Sequence, residues 1–233
     1  MIRIFIGYDS AESVAYHTLC QSIIDHTSEP VSITPVKQSM LPMYTRERDP
    51  KQSNEFSFTR FLTPHLAGYE GWALFMDCDM LFRADVAELW ALRDPLKSVQ
   101  VCQHDYTPRN QTKYLGNVQY SYPRKNWSSV MLFNCQHFDC KRLTPKVVNE
   151  ADPAFLHRFQ WTQDDSIGSL PLEWNWLVGE YDYNKDTKNV HWTVGGPYFH
   201  EYAGADYSDE WRQTYDRMKH CEQIVIPTLK VKP

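Results

Sequence analysis

The sequence predicts an α/β fold in which a mixed, mostly parallel sheet is flanked by helices and a loop-rich C-terminal third follows. Three observations predict it. A short β-branched run, a helical pattern and a second strand open the chain as a strand–helix–strand unit, the building block of a parallel sheet. Farther on, Trp72–Met76 is a continuous apolar run between Gly71 and Asp77, as expected for a strand buried on both faces. With 233 residues, 42% of them hydrophobic and 23% charged, the chain can fill one core, and disorder is excluded.

The first strand is Ile2–Gly7, ending in the turn and cap chemistry of Gly7-Tyr8-Asp9-Ser10. Val14, Ala15, Leu19, Ile23 and Ile24 then keep helical spacing from Ala11 to His26, with Ser10 as the expected cap. Val31–Val36 is a second strand, and Pro35 marks it as an edge or an early end. Met40–Asn54, polar and rich in proline and charge, reads as a long loop of the kind that forms lids or binding loops. Phe56–Leu66 has helical spacing broken at Pro64, and Asp85-Val86-Ala87-Glu88 matches a capping box opening a short helix through Leu92. Val99–Cys102 and Ser129–Phe133 are further strands, whereas Leu156–Trp161 is ambiguous. Beyond Asp182 the chain is polar and aromatic, and Val225–Pro233 reads as a tail.

Charge and composition narrow the function. A net charge of −5 is a poor balance for gripping a phosphate backbone, so nucleic acid is not the expected partner. No apolar run approaches the ~18 residues of a membrane span, and the first residues lack an apolar signal region. The reading is a soluble, cytoplasmic protein, with peripheral membrane contact left open. Cys20, Cys78, Cys102, Cys135, Cys140 and Cys221 form no CxxC pair, and the Cys135/His137/Cys140 group lacks a second ligand pair. They read as thiols in a reducing compartment rather than as a zinc site. The glycosylation patterns at Asn110-Gln111-Thr112 and Asn126-Trp127-Ser128 are chance matches in such a compartment. No serine-hydrolase elbow, P-loop, dinucleotide fingerprint or zincin motif is present.

The sharpest chemical feature is Asp77-Cys78-Asp79 directly after the buried strand. Residues i and i+2 of an extended backbone project to the same side, so two carboxylates converge at the carboxyl end of a central strand, where open α/β sheets bind ligands. Carboxylate oxygens with open positions suit a divalent cation holding a diphosphate. The pattern alone is common; its placement beside an apolar strand is what demands compensation. His191 stands just before Gly195-Gly196-Pro197, where bare backbone can approach a phosphate, and an imidazole joining two carboxylates favours manganese over magnesium. His200 competes for that role and His191 is preferred. Asp164 and Asp165 form a second acidic pair, suited either to sugar hydroxyls or to a helix N-terminus. Arg60 can reach a phosphate bidentately, and the eight tryptophans could stack on sugars or fill the core.

Together these segments resemble a sugar-nucleotide glycosyltransferase of the GT-A fold, closest to family 8, which includes glycogenin-like and bacterial lipopolysaccharide glycosyltransferases. Phe58-Thr59-Arg60-Phe61-Leu62-Thr63-Pro64 followed by Ala73-Leu74-Phe75-Met76-Asp77-Cys78-Asp79 is similar to the family's R-x-x-x-P … Y-L-D-x-D stretch. Ser128–Asn134, Gln163-Asp164-Asp165 with Leu172–Asn175, and the segment from His191 resemble its later motifs in order, so the likeness spans Ile2 to Tyr198. The resemblance implies manganese on Asp77, Asp79 and His191, a nucleotide-base pocket at Gly7, Tyr8 and Asp9, and Arg60 near the donor. It further implies a sugar contact from Asp164 or Asp165, while the bare backbone of Gly195 and Gly196 is what places those two beside the phosphates. Residues 1–135 would then form the nucleotide-sugar-binding half of one domain, and 136–233 the half that completes the metal and acceptor sites.

Three departures stand out. Gly196 occupies the place of the family's phosphate-binding Lys, so either another cation, Arg60 or Lys125, serves or the leaving group is stabilised differently. Trp127-Ser128-Ser129 replaces Asn-Ala-Gly, and the first residue of the D-Q-D triplet falls on Thr162 or Gln163. The expected activity is metal-dependent transfer of a hexose from a UDP-sugar to a glycan or other hydroxyl acceptor with retention, using Mn2+, with Mg2+ as the second choice. An inverting enzyme would need a carboxylate base, for which Asp105 is the candidate. The rival readings are a sugar-nucleotide nucleotidyltransferase and a non-catalytic carbohydrate-binding protein.

Overall fold

The computed structural model describes residues 1–49, 52–109, 112–113, 116 and 121–220. The elements in chain order are β1 (Ile2–Tyr8), α1 (Ser13–His26), β2 (Val31–Lys37), α2 (Thr63–Leu66), β3 (Trp72–Met76), β4 (Met80–Phe82), α3 (Val86–Ala91) and β5 (Val99–Cys102). They continue as β6 (Val130–Asn134), α4 (Pro145–Glu150), α5 (Pro153–His157), β7 (Ile167–Leu170), β8 (Trp176–Leu177), β9 (Asn189–His191) and α6 (Ser208–Lys219).

The main sheet has the order β2-β1-β3-β6-β5-β7. The β1–β2, β1–β3 and β5–β7 pairs are parallel, and β6 alone runs against its neighbours. This is the expected mixed, mostly parallel α/β sheet. Its centre is dry: Ala73–Met76 of β3 and all of β6 are buried, as apolar strands covered on both faces must be. Pro35 lies in β2 at the sheet edge, where its missing N–H costs no ladder bond.

A second sheet, β4-β9-β8, is built from strands of two or three residues. Here β9 pairs antiparallel with β4 and parallel with β8, placing His191 opposite both Met80 and Leu177. Segments far apart in the sequence, Met80–Phe82 and Asn189–His191, thus meet in one small sheet.

Local expectations are refined in four places. The first turn is a short 3-10 segment at Ser10–Glu12 whose cap is Asp9, not Ser10: the Asp9 carboxylate accepts from Ala11 N–H at 2.8 Å. Asp85 does cap α3 through Ala87 N–H, but Glu88 turns outward to Lys188 instead of closing a box. The ambiguous Leu156–Trp161 stretch is the end of α5 followed by a turn through Phe159, whose φ is 56°. Finally, the aromatic C-terminal third contains the regular helix α6, packed on α1. Cys78, Cys102, Cys135 and Cys140 are free and buried, and Cys20 is free and half-buried. Cys221, the Asn110-Gln111 pair and the Val225–Pro233 tail lie outside the described residues.

Candidate active site

Pairing between β3 and β6 continues one residue past the strand, with Asp77 N–H donating to Ser129 O at 3.0 Å. The chain then turns into β4, and Asp79 O accepts from Trp192 N–H at 2.9 Å, which fastens the turn to the end of β9. Alternation does the rest. Asp77 and Asp79 face one side, while Cys78 between them is buried on the other with its thiol 3.9 Å from Glu12 Oε2. Asp77, Asp79 and His191 offer ligand atoms that all lie within 4.8 Å of one another.

The neighbouring side chains hold this cluster in place. Arg60 is buried, with Nη1 2.8 Å from Asp77 Oδ1 and also donating to Ser128 O at 2.9 Å. Its guanidinium lies 5.2 Å from the centre of the Phe56 ring and 5.3 Å from that of Phe75, a packed cation–π arrangement. His191 Nε2 lies 3.3 Å from Asp79 Oδ1, and its Nδ1 lies 2.9 Å from Asn175 Oδ1. Although Arg60 and His191 are close, no donor is aligned in a hydrogen bond on Asp77 Oδ1 or Asp79 Oδ1, both of which are buried. Two buried carboxylate oxygens without an aligned hydrogen-bond donor and an imidazole nitrogen fit a divalent cation of the manganese or magnesium type.

Burial sets the protonation pattern. It pushes the Asp77 carboxyl up to about 6 against the pull of Arg60. It acts upward on Asp79 as well, but the neighbouring His191, with help from Lys113, leaves that carboxyl below its usual value. Glu12, pushed up to about 9 by burial and by the charges of Asp79 and Asp9, is a neutral acid that accepts from Tyr198 Oη at 3.1 Å. Glu12 therefore adds no charge to the cluster near neutral pH.

The cluster forms one wall of a cavity of about 490 Å³. Arg60, Lys113, Asn126, Ser128, Ser129 and His157 are among the side chains that continue its lining. Lys113 Nζ lies 3.3 Å from Thr193 Oγ1; burial lowers its pKa, and the nearby Asp79 and Asp77 carboxylates pull it back. His157 is held neutral, its pKa lowered to about 3 by burial and by the charges of Arg60 and Arg46.

The other residues singled out by sequence do not line this cavity. A Cβ on Gly7 would stand 2.3 Å from the Phe56 ring, so the glycine lets that ring close on β1. Tyr8 has Lys37 Nζ 4.9 Å from its ring centre, and buried Asp9 joins the cap to Glu55 N–H at 2.9 Å. Gly195 and Gly196 are buried beneath the rings of Tyr202 and Tyr198. Asp105 and Asp165 are exposed, and Asp164 pairs with Arg124 at 2.7 Å. His200 is exposed, whereas His191 is only 2% accessible and is the histidine grouped with Asp77 and Asp79. Lys125 is buried with its ammonium 5.3 Å from the Tyr122 ring centre.

Sequence reasoning missed Lys113, Glu12, His157 and Asn175. Only Asn175 carried a signal, inside Glu173-Trp174-Asn175-Trp176.

No established protein-family model matches the chain. The solved structures it resembles include the WbbM bifunctional glycosyltransferase, with a TM-score of 0.60, 16% identity and coverage of 92% of this chain. The chain spans only about half, 49%, of WbbM. The galactosyltransferase LgtC, solved with donor and acceptor sugar analogues, matches with a TM-score of 0.61 and 10% identity over 95% of this chain and 98% of LgtC. At such identities the likeness shows the fold, which is the GT-A glycosyltransferase fold. Sequence relationship is much closer elsewhere: 50% identity over 217 residues to Protein CDI of Arabidopsis thaliana, covering 90% of this chain and 84% of that protein. The chain belongs to the family of Protein CDI.

Proposed function

We propose that the chain is a metal-dependent glycosyltransferase that moves a hexose from a UDP-sugar to a hydroxyl acceptor with retention, related in mechanism to glycosyltransferase family 8. The observation that carries this reading is the convergence of Asp77, Asp79 and His191 on the wall of a cavity, with two buried carboxylate oxygens lacking aligned donors. The GT-A fold supports it.

Asp77, Asp79 and His191 would hold the cation, Mn2+ by ligand type, which when bound neutralises charge developing on a departing diphosphate. Arg60 keeps the Asp77 carboxylate aimed into the cavity by its ion pair. Lys113 is the cation we assign to the diphosphate in place of the family's Lys, because it lines the cavity and faces Asp79. Ser128, Ser129 and His157 form the adjoining wall, where a hexose would sit. Asp164 reaches that region through Arg124, which also donates to the Arg158 carbonyl at 2.8 Å.

Thermal unfolding against a panel of nucleotides and nucleotide sugars, with and without Mn2+, tests the proposal. The expected result is a stabilisation by UDP or a UDP-sugar that needs Mn2+ and disappears in Asp79→Ala. No shift from any nucleotide at saturating concentration would overturn the donor reading. Slow hydrolysis of one UDP-hexose by the wild type would then identify the sugar.

A further inference from the structure

Asn175 is fully buried and immediately precedes β8, which pairs with β9 so that Leu177 lies opposite His191. Its Nδ2 lies 2.8 Å from Ser129 Oγ, 2.9 Å from His104 Nε2 and 3.3 Å from Asn126 O; its Oδ1 lies 2.9 Å from His191 Nδ1. The neighbours fix which way this amide points. The Asn126 carbonyl can only accept. Ser129 Oγ gives its own proton to that carbonyl at 2.6 Å, so towards Asn175 it also accepts. His104 presents a bare Nε2 when its Nδ1–H faces Tyr181 Oη at 2.8 Å. Turning the amide over would set its oxygen against the Asn126 oxygen and strand the Ser129 acceptor.

The consequence falls on His191. An amide oxygen accepts only, so the proton of the neutral imidazole sits on Nδ1 and Nε2 is bare. That bare nitrogen lies 3.3 Å from Asp79 Oδ1, so two lone-pair atoms converge on one spot. We propose that Asn175 is a positioning residue that sets the His191 tautomer, presenting Nε2 as a ready ligand for the divalent cation beside Asp77 and Asp79. This rests on the metal reading of that cluster. Outer partners of this kind orient ligating imidazoles and change metal affinity by about 10–100-fold.

The test has two readouts. Long-range proton–nitrogen NMR of the metal-free wild type, followed up a pH series until the His191 signals cease to change, reports which nitrogen of the neutral ring is protonated. Manganese affinity is measured by EPR on the wild type, Asn175→Leu and Asn175→Asp. The expected wild-type tautomer has the proton on Nδ1. Asn175→Leu is expected to lose about 10–100-fold in manganese affinity and to lose the single tautomer. Asn175→Asp keeps an acceptor towards Nδ1 but sets a carboxylate against the Asn126 carbonyl. It is therefore expected to unfold at a lower temperature than the wild type yet bind manganese more tightly than Asn175→Leu. A merely structural Asn175 would make affinity follow stability instead, and that result overturns the proposal. A wild-type proton on Nε2, or unchanged affinity in Asn175→Leu, overturns it too. If the tautomer is as expected but the wild type binds no manganese, the metal reading fails and takes the ligand role with it, leaving only the Asn175–His191 bond.

Discussion

His191 Nε2 and Asp79 Oδ1 stand 3.3 Å apart although their residues come from distant parts of the chain. Two three-residue strands are responsible. The antiparallel pairing of β4 with β9 puts His191 opposite Met80, and the Trp192-to-Asp79 backbone bond closes the register at the carboxylates. The rest of the site follows from the end of β3, so the central sheet supplies two proposed ligands and the small sheet the third.

Removing the Asp79 carboxylate should abolish metal-linked stabilisation. At a manganese–UDP concentration near 100 Kd the wild type gains about 2.7 kcal/mol, and Asp79→Ala should gain almost none. Calorimetric melting of both proteins with and without ligand checks this. An undiminished shift in the variant would place the ligand elsewhere.

The buried Arg60–Asp77 pair should be costly to break on one side only. Arg60→Met leaves Asp77 unpaired beneath the sheet end and is expected to lose about 3–5 kcal/mol in urea unfolding. The double variant Arg60→Met/Asp77→Asn should recover part of that loss. Equal losses in the single and double variants would show that the pair is not coupled.

Gly7→Ala should destabilise by about 1–3 kcal/mol through overpacking, because the new methyl would stand 2.3 Å from the Phe56 ring. Phe56→Leu in the same chain should relieve the clash, giving a non-additive cycle. Additive effects would mean that Phe56 does not close on Gly7 in solution.

Lys113→Gln should weaken UDP binding in the presence of manganese while leaving manganese affinity itself within a few-fold of wild type. An exposed charge-assisted contact would be worth little, but this amine sits half-buried beside Asp79 and Asp77. Calorimetric titrations with metal alone and with metal plus UDP separate the two effects.

Acid should destabilise the fold through its buried neutral histidines. His104 and His157 both have pKa values lowered to about 3, chiefly by burial, whereas an unfolded histidine titrates near 6.5. Between those values these two histidines bind more protons in the unfolded chain than in the folded one. Their contribution to stability is therefore complete above about pH 6.5 and is lost progressively as the pH falls towards 3. Glu12 and Asp77, with raised pKa values, act in the opposite direction, so the check is a difference. From about pH 6.5 down towards about 4 the urea midpoint of the wild type should lose ground against that of His157→Asn, which removes one of the two sites.

Much of the frame was legible in the sequence because it is written in local pattern. Trp72–Met76 and Val99–Cys102 are strands with the expected bounds, since an unbroken apolar run between turn residues has few other solutions. Asp77 and Asp79 were legible for the same reason, being fixed by where β3 ends. The helix α6 was not. Its buried positions, Ser208, Trp211 and Thr214, include only one apolar residue, so no aliphatic period marks it. The strands β4 and β9 span three residues each and exist through their pairing with one another. Lys113 and Asn175 were hidden because their partners, Thr193 and His191, are brought to them only by the tertiary fold.

The most direct test of the central claim is EPR titration of manganese into the wild type and into Asp79→Ala, each with and without UDP. The account predicts that the wild type removes manganese from the free-ion spectrum, more tightly with UDP, and that Asp79→Ala does not. A wild type that leaves the free-ion spectrum unchanged with UDP present would contradict the assignment of Asp77, Asp79 and His191 as a metal–diphosphate site.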